Sequence, residues 1–314
     1  MRKRALGKTG LFVSEMGIGT WGLSGDAYGA VSENDAEAVV RRCLDMGMNV
    51  VDTADAYGGG RMEAMLGRIL KTKRDVIIVT KGGTDRTTDP PRKRFDAEWL
   101  KDSVGRSLKR LQRDRIDLYM LHNPSLDALV AGDCTKTMED LKKKGDIRHW
   151  GVCAGSDEIA RTAIDKDAEV IELVYNLMQC VDLHRIAGDV MVSGAGVLAR
   201  SVLDYGLLTG FWAKDRDFPE GDHRNNRWTK MELEKRVEQL DAVKFLVGGD
   251  VKTLRAAAVR FVLANTIVSS AILGPHTIEQ AEQLVREVGG GPRYLPDDAL
   301  AKLPRALTKA GILT

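Results

Sequence analysis

Residues 48–60 read MNVVDTADAYGGG. The stretch opens as a short apolar run, Met48, Val50 and Val51, the pattern of a strand buried on both faces. It turns polar at Asp52, so Asp52, Asp55 and Tyr57 fall where the strand ends. Three glycines follow, a residue type that adopts turn conformations closed to others. A carboxylate at a buried strand end is costly unless something pairs with it. Two further apolar runs end in candidate partners: VIIVTK finishes at Lys81 and IDLYMLH at His122.

The same pattern recurs along the chain. Apolar runs stand at 16–22, 48–52, 75–81, 116–122, 147–153, 170–176, 194–200 and 267–274, each followed by a helical segment or a long loop. Ser32 caps a helix with acids in its first turn. Residues 61–70 and 96–112 carry helical periodicity, and 135–144 form a helix closed by Gly145. A further helix starts at Asp157. Alternating strands and helices imply a parallel sheet, and eight such units point to a (β/α)8 TIM barrel. Residues 1–15 read as an N-terminal hairpin turned at Gly7 to Gly10, a plug or lid ahead of the repeat. The competing doubly wound sheet wants GxGxxG opening a helix; GIGTWG ends a glycine one place early and opens none.

At 314 residues the chain is long enough for one barrel domain spanning 1–314. A net charge of +2 argues against nucleic acid or a membrane surface as partner. The basic start MRKR has no apolar segment after it, so a cytoplasmic protein is the simplest reading. The four cysteines, Cys43, Cys134, Cys153 and Cys180, are scattered without metal-binding spacing and read as reduced packing residues; no metal is expected.

In such a barrel the active site lies at the C-terminal ends of the strands. Asp52, Lys81 and His122 end three consecutive strands, with Tyr57 on the loop after the first. Any one of them alone could be a cap or a solvated charge; the set in register argues for chemistry. A tyrosine hydroxyl with a pKa near ~10 gives up its proton reluctantly at neutral pH. A neighbouring ammonium stabilises the phenolate, and a carboxylate keeps that ammonium charged in a pocket. A histidine can orient a substrate oxygen by hydrogen bonding. The four residues form proton-donating machinery aimed at a carbonyl oxygen. No side chain among them carries hydride, so a nicotinamide cofactor is implied.

With these residues in place, the chain resembles the aldo-keto reductase superfamily over nearly its whole length. The matching segments are MGIGTWG, NVVDTADAYGGGRMEAMLG, VIIVTK, GRSLKRLQRDRIDLYMLHNP, LKKKGDIRHWGV, LVYN, SVLDYGLLTG and AILGPHTIEQAEQL. The resemblance implies Tyr57 as general acid, Lys81 and Asp52 as its activating pair and His122 as the residue that orients the carbonyl. It implies NADP(H) bound across the barrel mouth, and aldehydes, ketones or sugars as substrates, reduced or formed by alcohol oxidation. Cofactor contacts are expected at Gly19, Thr20, Trp21, Asp52, Cys153, Glu172, Arg200, Ser201, Leu203, Gly206, Gly274, His276, Thr277 and Gln280.

Several of these positions depart from the family pattern. Cys153 and Ala154 stand where the family usually has Ser-Asn, and Glu172 where glutamine is usual. The usual SPL is Ser201-Val202-Leu203, preceded by Arg200 where many members place an aromatic residue; Arg200 reads as an anion contact or a surface residue. The last segment offers Thr277, Gln280 and Leu284 in place of phosphate-binding residues, with His276 the one candidate cation there. Without a guanidinium fork the 2′-phosphate of NADP(H) loses its strongest partner, which leaves NAD(H) open. The substrate pocket is expected at Trp21, Tyr57, His122 and the loop 211–228.

Three other readings compete. Lys81 could be a Schiff-base nucleophile in a barrel aldolase. The altered cofactor contacts could belong to a redox-neutral enzyme that retains NAD(P). A cofactor-sensing regulatory subunit with little turnover is the reading outside catalysis.

Overall fold

A computed structural model of the chain describes residues 1–288 and 294–314. Eight parallel strands close into a barrel in chain order: β1 (Met16–Gly19), β2 (Val50–Asp52), β3 (Ile77–Gly82), β4 (Ile116–His122), β5 (Ile147–Cys153), β6 (Val170–Val174), β7 (Gly196–Arg200) and β8 (Ser270–Leu273). The doubly wound alternative is thereby excluded. Within 16–22, read as a short strand running into a glycine-rich turn, the strand ends at Gly19, because Thr20 turns back and donates both its N–H and its Oγ1 hydroxyl to Asp52 O, at 2.9 and 3.0 Å.

Both faces of each strand are buried, which is why the strands read as unbroken apolar runs. Successive side chains still alternate. Val50, Ile77, Val79, Leu118, Met120, Val170, Leu198 and Ile272 fill the barrel interior. Val51, Ile78, Tyr119 and Ile171 face outward to the helices.

The hairpin is present as two paired strands, Lys3–Ala5 and Phe12–Ser14. Its Leu6, Leu11 and Val13 join the interior cluster, so it plugs the N-terminal end of the barrel, opposite the mouth. Asn49, just before β2, holds it: its Oδ1 accepts from Ser14 N at 2.6 Å, its Nδ2 donates to Phe12 O at 2.9 Å and its N donates to Ser14 Oγ at 3.0 Å.

Between β7 and β8 two helices form that the sequence reading does not name, Lys230–Gln239 and Leu254–Ala264. The second is buried nearly all round, so it lacks the one-sided stripe by which a helix is recognised. Among the described residues no helix is long and apolar enough to cross a membrane.

Candidate active site

Asp52 closes β2, Lys81 is the penultimate residue of β3 and His122 closes β4. Tyr57 opens a tight turn, Tyr57–Gly60, in which Gly58, Gly59 and Gly60 all take left-handed backbone angles (φ 59°, 63° and 92°). That geometry is why three glycines follow the tyrosine. The turn is tied down by Gly58 N–H donating to Asp26 Oδ2 at 2.6 Å and by Arg86 donating to Ala56 O at 2.6 Å.

The four residues converge. Lys81, fully buried, ion-pairs with Asp52 and donates to Thr53 O at 3.1 Å. Its ammonium lies 5.7 Å from the centre of the Tyr57 ring, and the His122 ring meets Tyr57 edge-on with centres 5.9 Å apart. Glu172, at 2% exposure, joins them: its Oε2 stands 3.3 Å from Lys81 Nζ. One lysine thus faces two buried carboxylates.

The electrostatics follow. Burial, reinforced by Glu172 and opposed by Lys81, pushes the Asp52 carboxyl up to about 7. Burial works against the Lys81 ammonium, but Asp52 and Glu172 outweigh it and hold its pKa well above the usual lysine value. Tyr57 is pushed up by burial, with Lys81 lowering it and Asp52 and Glu172 adding to the rise. The ammonium therefore acts in the expected direction but does not prevail, and Tyr57 rests as a phenol carrying its proton. His122 is driven well below its usual value by burial and then by Lys81, Lys93 and Arg200, so its imidazole is neutral.

Asp52, Tyr57, His122 and Glu172 line one cavity of about 870 Å³ at the barrel mouth, at the upper end of the range of small-molecule sites, with Lys81 buried behind them. Twelve of the expected cofactor contacts border it: Gly19, Trp21, Asp52, Cys153, Glu172, Arg200, Ser201, Leu203, Gly206, Gly274, His276 and Gln280. Thr20 and Thr277 do not. Thr20 is buried in its bracket to Asp52, and Thr277 Oγ1 caps the helix Ile278–Val288 by accepting from Gln280 N at 3.2 Å. His276 lies against Tyr28 with ring centres 4.7 Å apart, and burial lowers its pKa, so it is not a cation.

Arg255 borders the cavity beside Gln280, Gln283 and Leu284, and the sequence reading missed it. It sits on the helix Leu254–Ala264, far in sequence from every motif. Its guanidinium is held by two hydrogen bonds to Glu287, at 3.1 and 2.5 Å. Tyr28, Asn123 and Tyr205 also line the cavity. Asn123 had a signal in its position next to His122, and Tyr205 in its place within SVLDYGLLTG.

A nicotinamide dinucleotide fits this arrangement. His122 Nδ1, Glu172 Oε2 and Arg200 Nε are buried without a hydrogen-bond partner, although their residues line the cavity, and native proteins rarely leave such atoms unpaired unless a ligand or water meets them. The aldolase reading fails on the same geometry. A Schiff-base lysine must lose its proton, and two carboxylates hold that of Lys81 in place.

A closed eight-stranded barrel with a tyrosine, a buried lysine, a carboxylate and a histidine at its mouth defines a class, and sequence and structure comparisons agree on which. The profile of the Aldo/keto reductase family matches residues 15–288. The aldo-keto reductase YhdN of Bacillus subtilis is 32% identical, covering 92% of this chain and 89% of its own. L-galactose dehydrogenase of Arabidopsis thaliana is 30% identical, with 91% and 87% covered. The solved structure of a glycerol dehydrogenase from Gluconobacter oxydans superposes with a TM-score of 0.84 at 27% identity, over 98% of this chain and 95% of that one. The chain belongs to the aldo/keto reductase family, and it is an NAD(P)H-dependent oxidoreductase.

Proposed function

We propose that the protein interconverts the carbonyl and alcohol forms of a sugar or small polyol, with Tyr57 as proton donor and acceptor and NAD(H) as its preferred cofactor. The observation that carries the proton role is the buried Lys81, ion-paired to Asp52 and set against the Tyr57 ring.

In the reducing direction the neutral His122 donates a hydrogen bond that holds the substrate carbonyl oxygen beside Tyr57. A bound nicotinamide supplies the hydride to the carbonyl carbon, and takes it back in oxidation. Tyr57 gives its phenolic proton to the oxygen. The phenolate left behind is stabilised by Lys81, whose charge Asp52 maintains. In the oxidising direction Tyr57 takes the proton back.

The substrate class is supported by the cavity wall. Trp21, Tyr28, Tyr205, Phe211 and Trp212 supply aromatic surface, and Asp26, Arg86 and Asn123 polar groups, a mixture suited to a polyhydroxylated substrate. The names of two relatives, L-galactose dehydrogenase and glycerol dehydrogenase, point the same way. Preference for NAD(H) is supported by Arg255, since a guanidinium already bound by Glu287 is a poor partner for a 2′-phosphate.

The test is a screen of aldoses, their alcohols, glycerol and a set of apolar aldehydes with NAD(H) and NADP(H) in both directions. Turnover of at least one sugar or polyol, faster with NAD(H), is expected. Turnover confined to apolar aldehydes with NADPH would overturn the substrate and cofactor assignments together.

A further inference from the structure

Glu172 is one carboxylate more than Lys81 requires. Lys81 is already ion-paired to Asp52, and Glu172 Oε2 approaches it at 3.3 Å without forming a hydrogen bond. Arg200, the other nearby cation, does not neutralise Glu172 by contact. Its Nη2 donates to Ala154 O at 3.2 Å, its Nε is buried without a partner, and no ion pair joins the two. Glu172 is at the same time a wall residue of the mouth cavity, shared with Tyr57, His122, Cys153 and Arg200. The inner cluster of Asp52, Glu172 and Lys81 therefore sets two carboxylates against one ammonium in contact, with Arg200 on the same wall acting on them only across space.

A dinucleotide changes charge by one unit between its two redox states, and the change resides on the nicotinamide ring: cationic when oxidised, neutral when reduced. A ring that exchanges hydride with a carbonyl held by Tyr57 and His122 occupies the chamber that Glu172 walls. From this we infer that Glu172 tunes the site toward the oxidised cofactor, its carboxylate favouring NAD⁺ over NADH and so biasing the enzyme toward alcohol oxidation. The inference rests on the nicotinamide reading above and adds a direction to it. A neutral residue of the same shape would give Lys81 and the ring similar contacts without this bias. Glu172 acts here as a tuning residue and transfers no proton.

One buried charge acting across a chamber of this size, at an effective dielectric near ~20, changes relative affinity by about tenfold after partial compensation by its neighbours. The experiment compares the dissociation constants of NAD⁺ and NADH for the wild type, Glu172→Gln and Glu172→Asp by fluorescence titration and competition. It is run at about pH 8.5, where Asp52, pushed up to about 7, is ionised in every protein.

Glu172→Gln is expected to lose about tenfold of the preference for NAD⁺ relative to NADH, and Glu172→Asp, which keeps the charge, to retain most of it. Should Glu172→Gln not fold, Glu172→Ala removes the same charge and is expected to show the same shift. Both cofactors binding with a ratio within about twofold of wild type in the neutral variant would overturn the inference alone. Binding of neither cofactor by the wild type would overturn the nicotinamide reading and this inference with it.

Discussion

Lys81 Nζ stands 3.3 Å from Glu172 Oε2 while ion-paired on its other side to Asp52, so two buried carboxylates depend on a single ammonium. Lys81→Met leaves both without a counter-ion in contact, and Arg200 acts on them only across space. Removing one partner of a buried charge cluster costs about 3–5 kcal/mol, and that loss is expected in denaturant unfolding at pH 8. Asp52, already pushed up to about 7 in the wild type, moves further up in the variant. The folded variant then binds more protons than its unfolded chain, so stability is regained as pH falls from about 8 towards about 5. Equal destabilisation at both pH values would contradict this assignment of the charges.

Arg255 and Glu287 form a paired unit at the edge of the cavity. Glu287→Gln weakens that pair and makes the guanidinium available to a phosphate. Wild type is expected to bind NADH at least about tenfold tighter than NADPH, and the variant to narrow that gap several-fold, a difference near 1 kcal/mol. Parallel titration of the two reduced cofactors measures both; an unchanged gap in the variant would remove Arg255 from the account of selectivity.

Asn49 makes three hydrogen bonds that fasten the N-terminal plug, at the end of the barrel opposite the mouth. Asn49→Ala leaves Ser14 N and Phe12 O unpaired and is expected to cost about 2–3 kcal/mol. Because the plug is remote from Tyr57, kcat/KM should stay within about twofold of wild type. A large kinetic loss without a loss of stability would show the plug coupled to the site.

The barrel was legible because doubly buried strands leave unbroken apolar runs, and the candidate catalytic group because Asp52, Lys81 and His122 stand at the ends of such runs and Tyr57 on the loop after the first. Less legible was what depends on distant segments meeting. Arg255 touches the cavity through a helix buried all round, which carries no amphipathic stripe. His276 reads as a cation in sequence, yet its packing on Tyr28 makes it a neutral wall residue. The helix Lys230–Gln239 carries one local signal in the sequence, the Thr229-to-Glu232 capping box. The balance of charge around Tyr57 is hidden for the same reason: Lys81 is visible in sequence as a neighbour, whereas the burial that outweighs it, with Asp52 and Glu172 adding to the rise, belongs to the folded site.

The central claim is that Tyr57 moves the proton. Tyr57→Phe removes one hydroxyl and keeps the ring that packs against Lys81 and His122. The decisive measurement sets steady-state turnover of the best sugar or polyol substrate beside a cofactor titration of the same preparation. Turnover is expected to fall by a factor of about 10²–10⁴ or more while cofactor affinity stays within about threefold. Turnover within about tenfold of wild type, with cofactor still bound, would contradict the assignment and leave the proton to another group in the cavity.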